Sequence, residues 1–150
     1  MAKIHNIIGD VTNPQGEGIK VICHIVNDSN RMGSGVARAL FEKWYEVKRK
    51  YHEFEAMDEL KLGNIQIVGV EKDIFVVNMV AQHKIYPEEA VPLRYDALKS
   101  CLNAVRAHFP DETIHIPYMM GCDRAKGNWD SVSTMINTCL ENDVFIYKLP

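Results

Sequence analysis

The sequence alternates short apolar runs with longer segments of helical periodicity, and this alternation constrains the fold more than any other feature. The apolar runs are rich in Val and Ile and too short for buried helices, which is typical of strands. They read "KIHNII", "KVICHIV", "NIQIVGV", "DIFVVNMV", "TIHIPYM" and "VFIYKL". With the helical segments between them they predict the order β-β-α-β-β-α-β-α-β. Such an order favours a mixed sheet with helices on both faces.

Three helices are predicted, each from one apolar stripe at intervals of three and four residues. The stripes consist of Val36, Leu40, Trp44 and Val47 in the first helix, Cys101, Leu102, Val105 and Phe109 in the second, and Val132, Met135, Ile136, Cys139 and Leu140 in the third. Pro110 ends the second helix because proline lacks the backbone N–H that a helix needs. Asn128 is the predicted N-cap of the third helix, and Asp130 in its first turn suits the helix dipole.

Length and charge limit the classes of protein to which the chain can belong. A chain of 150 residues with 47% hydrophobic content can bury a full core, so residues 1–150 are predicted to form one domain. The net charge of -3 and the pI of about 6.1 argue against a nucleic-acid-binding protein, which normally carries a basic face. The segment "KWYEVKRKYHEFE" is locally basic, but acidic residues interrupt it, so we interpret it as a solvated helix face.

The cysteines and the absence of long apolar stretches indicate the compartment. The four cysteines are far apart and have no zinc-type spacing, which favours a reducing environment and no metal site. No segment has the length of a membrane span, and the N-terminus lacks a signal-peptide core. We therefore expect a cytoplasmic, monomeric protein without a membrane partner.

The stretch "NDSNRMGSGVARAL" connects a predicted strand to the first helix. The small residues Gly33, Ser34 and Gly35 open this helix, whose unpaired N–H groups and positive dipole end form an anion site. The dipole contributes only about 0.3–1 kcal/mol when exposed. A second binding element is therefore needed for a tightly held phosphate.

The loop "YMMGCDRAKGNW" is the predicted second element, since Gly121 and Gly127 bracket it between a buried strand and the third helix. Two such loops would enclose a diphosphate from opposite sides. Neither loop matches a Walker or a complete dinucleotide motif, and the glycines could equally serve only turns and close packing. Asp10, in "GDVT", is either an acceptor for an exocyclic amine such as adenine N6 or a turn residue.

Seen together, the motifs "GDVT", "HIVNDSNRMGSGVA", "NMVAQHKIY", "LRYDAL", "IPYMMGC" and "NWDSV" resemble the macrodomain family over nearly the whole chain. The resemblance is to the branch with terminal ADP-ribose protein glycohydrolase and the phage-type ADP-ribose 1''-phosphate phosphatases. It implies a three-layer α/β/α fold with a mixed, mostly parallel six-stranded sheet. It also implies a binding site for ADP-ribose or ADP-ribosylated protein, without a cofactor.

The resemblance assigns a place to each candidate ligand-binding residue. By analogy, Gly9, Asp10 and Val11 meet the adenine, Asn27 and Asp28 lie near the distal ribose, and Gln82 and His83 follow the fourth strand. The first diphosphate loop would comprise Met32, Gly33, Ser34, Gly35, Val36 and Ala37. The second would comprise Gly121, Cys122, Asp123, Arg124 and Ala125.

The chain departs from this branch at two catalytic positions. Its glycohydrolases use a lysine after the fourth strand, but Gln82 occupies that place and an amide is no nucleophile. Lys84 lies two residues further on. The second loop reads "GCDRAKG", so Asp123 either supplies the acid/base or merely pairs with Arg124. The predicted catalytic residues are Asp123, Lys84 and Asn27.

Three functions are weighed against these residues. The first is hydrolysis of a protein ester or a 1''-phosphate at the terminal ribose, and the second is ADP-ribose binding without chemistry, which Gln82 favours. The third, an RNA adaptor, conflicts with the acidic net charge. Among the remaining residues, His83 and Tyr86 are interpreted as ligand contacts, and His24 and His115 as hydrogen-bonded structural residues. Cys122 lacks an evident histidine partner and is not expected to be a nucleophile.

Overall fold

Six strands and four helices alternate along the chain, and the computed structural model describes all residues 1–150. The strands are β1 (Lys3–Ile8), β2 (Lys20–Asn27), β3 (Ile65–Glu71), β4 (Ile74–Gln82), β5 (Thr113–Pro117) and β6 (Asp143–Lys148). The helices are α1 (Gly35–Lys43), α2 (Glu46–Ala56), α3 (Tyr95–His108) and α4 (Trp129–Cys139).

All six strands belong to one sheet in the order β1-β6-β5-β2-β4-β3. Every neighbouring pair is parallel except β3 and β4, which form an antiparallel hairpin. The turn of this hairpin consists of Lys72 and Asp73, because Glu71 lies opposite Ile74. The predicted mixed, mostly parallel six-stranded sheet is confirmed, and so is the three-layer α/β/α arrangement.

The two faces of the sheet carry separate cores, because successive side chains of a strand point to opposite faces. On β2, Val21 and Cys23 face the core shared with α3 and α4, whereas Ile22 and Val26 face the core shared with α1 and α2. The central strands are therefore buried on both sides. Since the edges of the sheet are formed by β1 and β3, the carboxyl ends of the other parallel strands meet between them.

The first predicted helix is two helices, which corrects the sequence interpretation. Leu40, Trp44 and Val47 are all buried in one core, as the stripe requires, but Trp44 has an extended backbone at φ -134° and ψ 93°. In this conformation its indole N–H donates to Glu71 Oε2 at the end of β3, at 2.9 Å. The periodicity predicted the buried side chains correctly, but it did not indicate the break between α1 and α2.

The predicted helix ends agree with the structure elsewhere. Helix α3 ends at His108, two residues before Pro110, and the Asn128 side chain caps α4 by accepting from the Ser131 N–H at 3.0 Å. None of the four helices has the length and apolar character needed to cross a bilayer. All four cysteines are free thiols.

Candidate functional site

A cleft of about 1070 Å³ lies at the carboxyl ends of the parallel strands. Its walls are the loops that follow β1, β2, β4, β5 and β6. Most of the predicted site residues line it: Gly9, Asp10, Val11, Asn27, Met32, Gly33, Ser34, Gly35, Val36, Ala37, Gln82, Gly121, Cys122, Asp123, Arg124 and Ala125. The two glycine-bearing loops thus share one cavity, although more than 80 residues separate them in sequence.

The first loop presents a run of unpaired backbone N–H groups at the start of α1. The N–H groups of residues 32–37 donate to no acceptor in the protein, and the first helical bond runs from Arg38 N to Ser34 O at 3.3 Å. Ser34 makes no side-chain cap. Gly35 has φ +63°, and a Cβ at Gly33 or Gly35 would meet no atom within 4 Å. The loop therefore offers donors next to open space, as an anion site requires.

A buried hydrogen-bond network holds the first loop in place. The Asn27 Oδ1 accepts from the backbone N–H of Ser29 at 3.0 Å, and its Nδ2 donates to the carbonyl of Arg31 at 2.7 Å. The Tyr51 hydroxyl lies 2.7 Å from Asn27 Oδ1 and accepts from the Arg31 N–H at 3.1 Å. Burial raises the pKa of Tyr51, so this hydroxyl stays protonated. Helix α2 thereby anchors the end of β2 and the start of the loop.

The second loop closes on itself through two glycines. The Gly127 N–H donates to the Gly121 carbonyl at 2.9 Å, and a Cβ on Gly127 would lie only 2.5 Å from that oxygen. Gly121 has φ +74°, which glycine adopts without strain. The N–H groups of Asp123, Arg124 and Ala125 donate to no protein acceptor. This loop is therefore a second donor surface on the same cleft.

The carboxylate of Asp10 combines the two roles considered for it. One oxygen, Oδ1, accepts from the Thr12 N–H at 2.9 Å and from the Thr12 hydroxyl at 2.8 Å, which makes a local turn. The other oxygen has no protein partner, and the residue lines the cleft. Asp10 thus shapes its own loop and still offers an acceptor.

The charged side chains of the second loop are exposed and largely unpaired. Asp123 and Arg124 form no ion pair with each other, so the interpretation of Asp123 as a partner of Arg124 is not supported. The Lys126 ammonium lies 4.6 Å from the centroid of the Tyr86 ring. Lys126 and Tyr86 both line the cleft. Lys126 belongs to the second loop, which the sequence had singled out.

Three predicted residues, Asp28, His83 and Lys84, are not part of the cleft lining. The Asp28 carboxylate pairs with His83 Nδ1 at 2.7 Å and accepts from the Lys84 N–H at 2.8 Å. Gln82 donates to the Lys84 carbonyl at 3.1 Å, and Lys84 has φ +57°. The segment after β4 is therefore folded against Asp28. The Lys84 side chain is exposed beside the cleft and not on its wall.

The two strand histidines are neutral and hydrogen-bonded, as expected. The His24 Nε2 lies 2.5 Å from Asn78 Oδ1, and His115 bonds the Tyr147 hydroxyl at 2.7 Å. Burial lowers the pKa of each imidazole to about 4. His24 also lines the cleft, which the sequence did not predict. Burial raises the pKa of Cys122, which disfavours a thiolate there.

No protein-family model matches the sequence. A structure of a protein of unknown function from Bacteroides thetaiotaomicron is 36% identical, with a TM-score of 0.91 over 97% of this chain and 98% of that one. A macrodomain protein from Streptomyces coelicolor is 28% identical, with a TM-score of 0.84 over 97% and 99% of the two chains.

Two further relatives differ in length from this chain. The Thermosipho africanus DarTG structure in complex with ADP-ribose is 17% identical with a TM-score of 0.76, over all of this chain and 42% of that one. Mouse chromodomain-helicase-DNA-binding protein 1-like is 28% identical over 98% of this chain, which spans only 18% of that protein. The likeness to the Streptomyces macrodomain therefore extends over nearly the whole chain. The chain has the macrodomain fold.

Proposed function

We propose that the cleft binds ADP-ribose, with the diphosphate held between the two loops. The observation that carries this proposal is the pair of unpaired N–H runs, residues 32–37 and 123–125, on the walls of one cavity. Backbone donors suit phosphate oxygens, and such charge-assisted bonds are about twice as strong as neutral ones. The ADP-ribose in the Thermosipho africanus relative supports the same ligand.

The polar groups of the cleft suggest where the adenine and the distal ribose of the ligand would lie. The free oxygen of Asp10 would accept from the adenine amine, because a carboxylate is an acceptor only. The distal ribose would then lie toward Asn27 and the second loop. Arg124 and Lys126 would attract the diphosphate and Asp123 would repel it, so the side chains add one net positive charge near the ligand.

We further propose that Asp123 assists hydrolysis at the terminal ribose. Its carboxylate is exposed, lines the cleft and has no ion-pair or side-chain hydrogen-bond partner. Such a group can take a proton from water as the water oxygen attacks the linkage. The water oxygen bonds to the ribose carbon as the bond from that carbon to the substituent oxygen breaks, and Asp123 passes the proton on to this leaving oxygen. The products are ADP-ribose and either a protein carboxylic acid, which then ionises, or inorganic phosphate.

The alternative is a module that binds ADP-ribose without catalysis. Gln82 on the cleft wall favours it, because an amide cannot replace a nucleophilic amine. Titration calorimetry with ADP-ribose, with AMP and NAD as controls, tests binding. A dissociation constant in the micromolar range corresponds to about -8 kcal/mol. Incubation with ADP-ribosyl-glutamate protein and with ADP-ribose 1''-phosphate tests turnover. Binding without turnover on either substrate would establish a non-catalytic ADP-ribose-binding module, and no binding would refute both proposals.

A further inference from the structure

We propose that two copies of this chain pair through strand β1, which joins their sheets into one of twelve strands around a two-fold axis. The sequence led us to expect a monomer, and the edge of the sheet is what leads to a different conclusion. Strand β1 pairs with β6 alone, and all its residues except Ile7 are exposed. An open edge strand presents unpaired N–H and C=O groups to another chain.

The backbone of β1 defines which groups are free. The N–H of Lys3 donates to Asn142 and the N–H of Gly9 donates to Lys148, both toward β6. In a parallel ladder alternate residues bond to the same neighbour, so the odd-numbered positions of β1 face β6. The N–H and C=O groups of Ile4, Asn6 and Ile8 therefore point away from the sheet.

Among the antiparallel registers open to these groups, one pairs all three residues of each copy with one another. In an antiparallel pair, hydrogen-bonded residues lie directly opposite each other. Placing Asn6 opposite Asn6 of the second copy brings Ile4 opposite Ile8, and all N–H and C=O groups of the three residues in each copy find partners. The side chains agree, since Ile4 and Ile8 are 38% and 69% exposed and lie on the same face. Cross-strand pairs of β-branched residues stabilise such ladders.

The opposite edge of the sheet lacks this complementarity. Strand β3 has a register irregularity between Gly69 and Glu71, and bulges of this kind blunt an edge. The register of β1 against β6 is unbroken from Lys3 to Ile8. A two-fold pair through β1 also closes the assembly, because the second copy uses the same edge. The two clefts then open in opposite directions along the paired strands.

Sedimentation across a range of protein concentrations tests the pairing. A small interface of this kind predicts dissociation in the range of about 10–100 µM. The Asn6→Pro variant removes an outward N–H and leaves the hydrogen bonds to β6 in place. The Ile8→Lys variant places a charge in the β1–β1 interface. Both variants should sediment as monomers at about 100 µM. The matched control Met57→Lys, at an exposed apolar site on the C-terminal end of α2, should remain dimeric.

Wild-type protein that is monomeric at about 200 µM would overturn the proposal, and so would dimers that persist in both β1 variants. Circular dichroism verifies that each variant is folded. Oxidation of cysteine variants tests the register itself. At Asn6→Cys the facing Cα atoms would be about 5.5 Å apart, which a disulfide can bridge. At Ile4→Cys they would be separated by more than about 12 Å. Cross-linking must occur at position 6 and be absent at position 4. Wild-type protein is the control for cross-linking through the native Cys122.

Discussion

The protein leaves space for a side chain at Gly33, but the diphosphate of the proposed ligand would occupy that space. A Cβ there meets no protein atom within 4 Å, and no left-handed backbone is required. We therefore expect Gly33→Val to keep the unfolding midpoint within about 2 °C while ADP-ribose affinity falls about 10- to 100-fold, from the loss of one or two phosphate contacts. Calorimetry and thermal melts measure the two effects.

Gly69→Val, in strand β3 and outside the cleft lining, is the matched control for this variant. A Cβ at Gly69 would lie at an ordinary contact distance of 3.6 Å from the Phe75 ring, so this variant should leave the affinity unchanged. Unaltered binding by Gly33→Val would mean that the phosphate lies elsewhere.

Asp123 is the residue on which the proposed chemistry depends. Asp123→Asn preserves shape and removes the base, so turnover should fall about 100-fold or more, since general-base contributions are of that size. Affinity for ADP-ribose should stay equal or rise, because a negative charge near the diphosphate is removed. Single-turnover hydrolysis and calorimetry provide the two measurements.

Asp130→Asn, an exposed carboxylate in the first turn of α4, serves as the control for charge alone. Equal turnover by wild type and Asp123→Asn would exclude the assigned role and direct attention to Lys84.

At the scale of elements, α2 contributes to the site without touching the proposed ligand. The Tyr51 hydroxyl links Asn27 and Arg31, and it is fully buried. Tyr51→Phe leaves the Asn27 oxygen short of one donor and the Arg31 N–H short of one acceptor. We expect the free energy of unfolding to fall by about 1–3 kcal/mol and ADP-ribose affinity to fall several-fold.

Chemical denaturation and calorimetry test this expectation. Tyr45→Phe, an exposed tyrosine that precedes the same helix, is the control. A Tyr51→Phe variant with reduced stability and wild-type affinity would show that the network supports the fold only.

The elements were predictable where short-range patterns determine them. β-branched runs located all six strands, and the N-cap of α4 and the end of α3 followed from Asn128 and Pro110. The break between α1 and α2 was not predictable, because it coincides with a hydrogen bond from Trp44 to Glu71, 27 residues away, which no local pattern reports. Strand β5 was likewise predicted too long, since Tyr118 and Met119 lie in a turn.

The site was predictable for residues that belong to the glycine loops, because strand ends and small residues mark those loops in the sequence. The positions around Asp28 were harder. That carboxylate turns toward His83 and the Lys84 backbone, a pairing across 55 residues that no local pattern reports. The contact of Lys126 with the Tyr86 ring was not predictable, because it arises only when the segment after β4 meets the second loop.

For the molecule as a whole, the position of the histidines in the sheet links stability to pH. His24 and His115 lie on the central strands β2 and β5, buried at 2% and 0% exposure. Burial lowers the pKa of both from 6.5 to about 4. A protonated imidazole at either position would lack the water that stabilises its charge, and the protein interior does not replace that water.

The sign of the pH dependence follows from proton uptake. Below pH 6.5 the unfolded chain binds protons at both histidines and the folded chain does not, so the free energy of unfolding falls until about pH 4. Each histidine should lower it by about 2 kcal/mol between pH 7 and pH 5. Urea denaturation at these two pH values measures the change, and His24→Gln, which can still bond to Asn78, should remove about half of it. A pH-independent free energy of unfolding over this interval would contradict the assignment of two neutral, buried imidazoles.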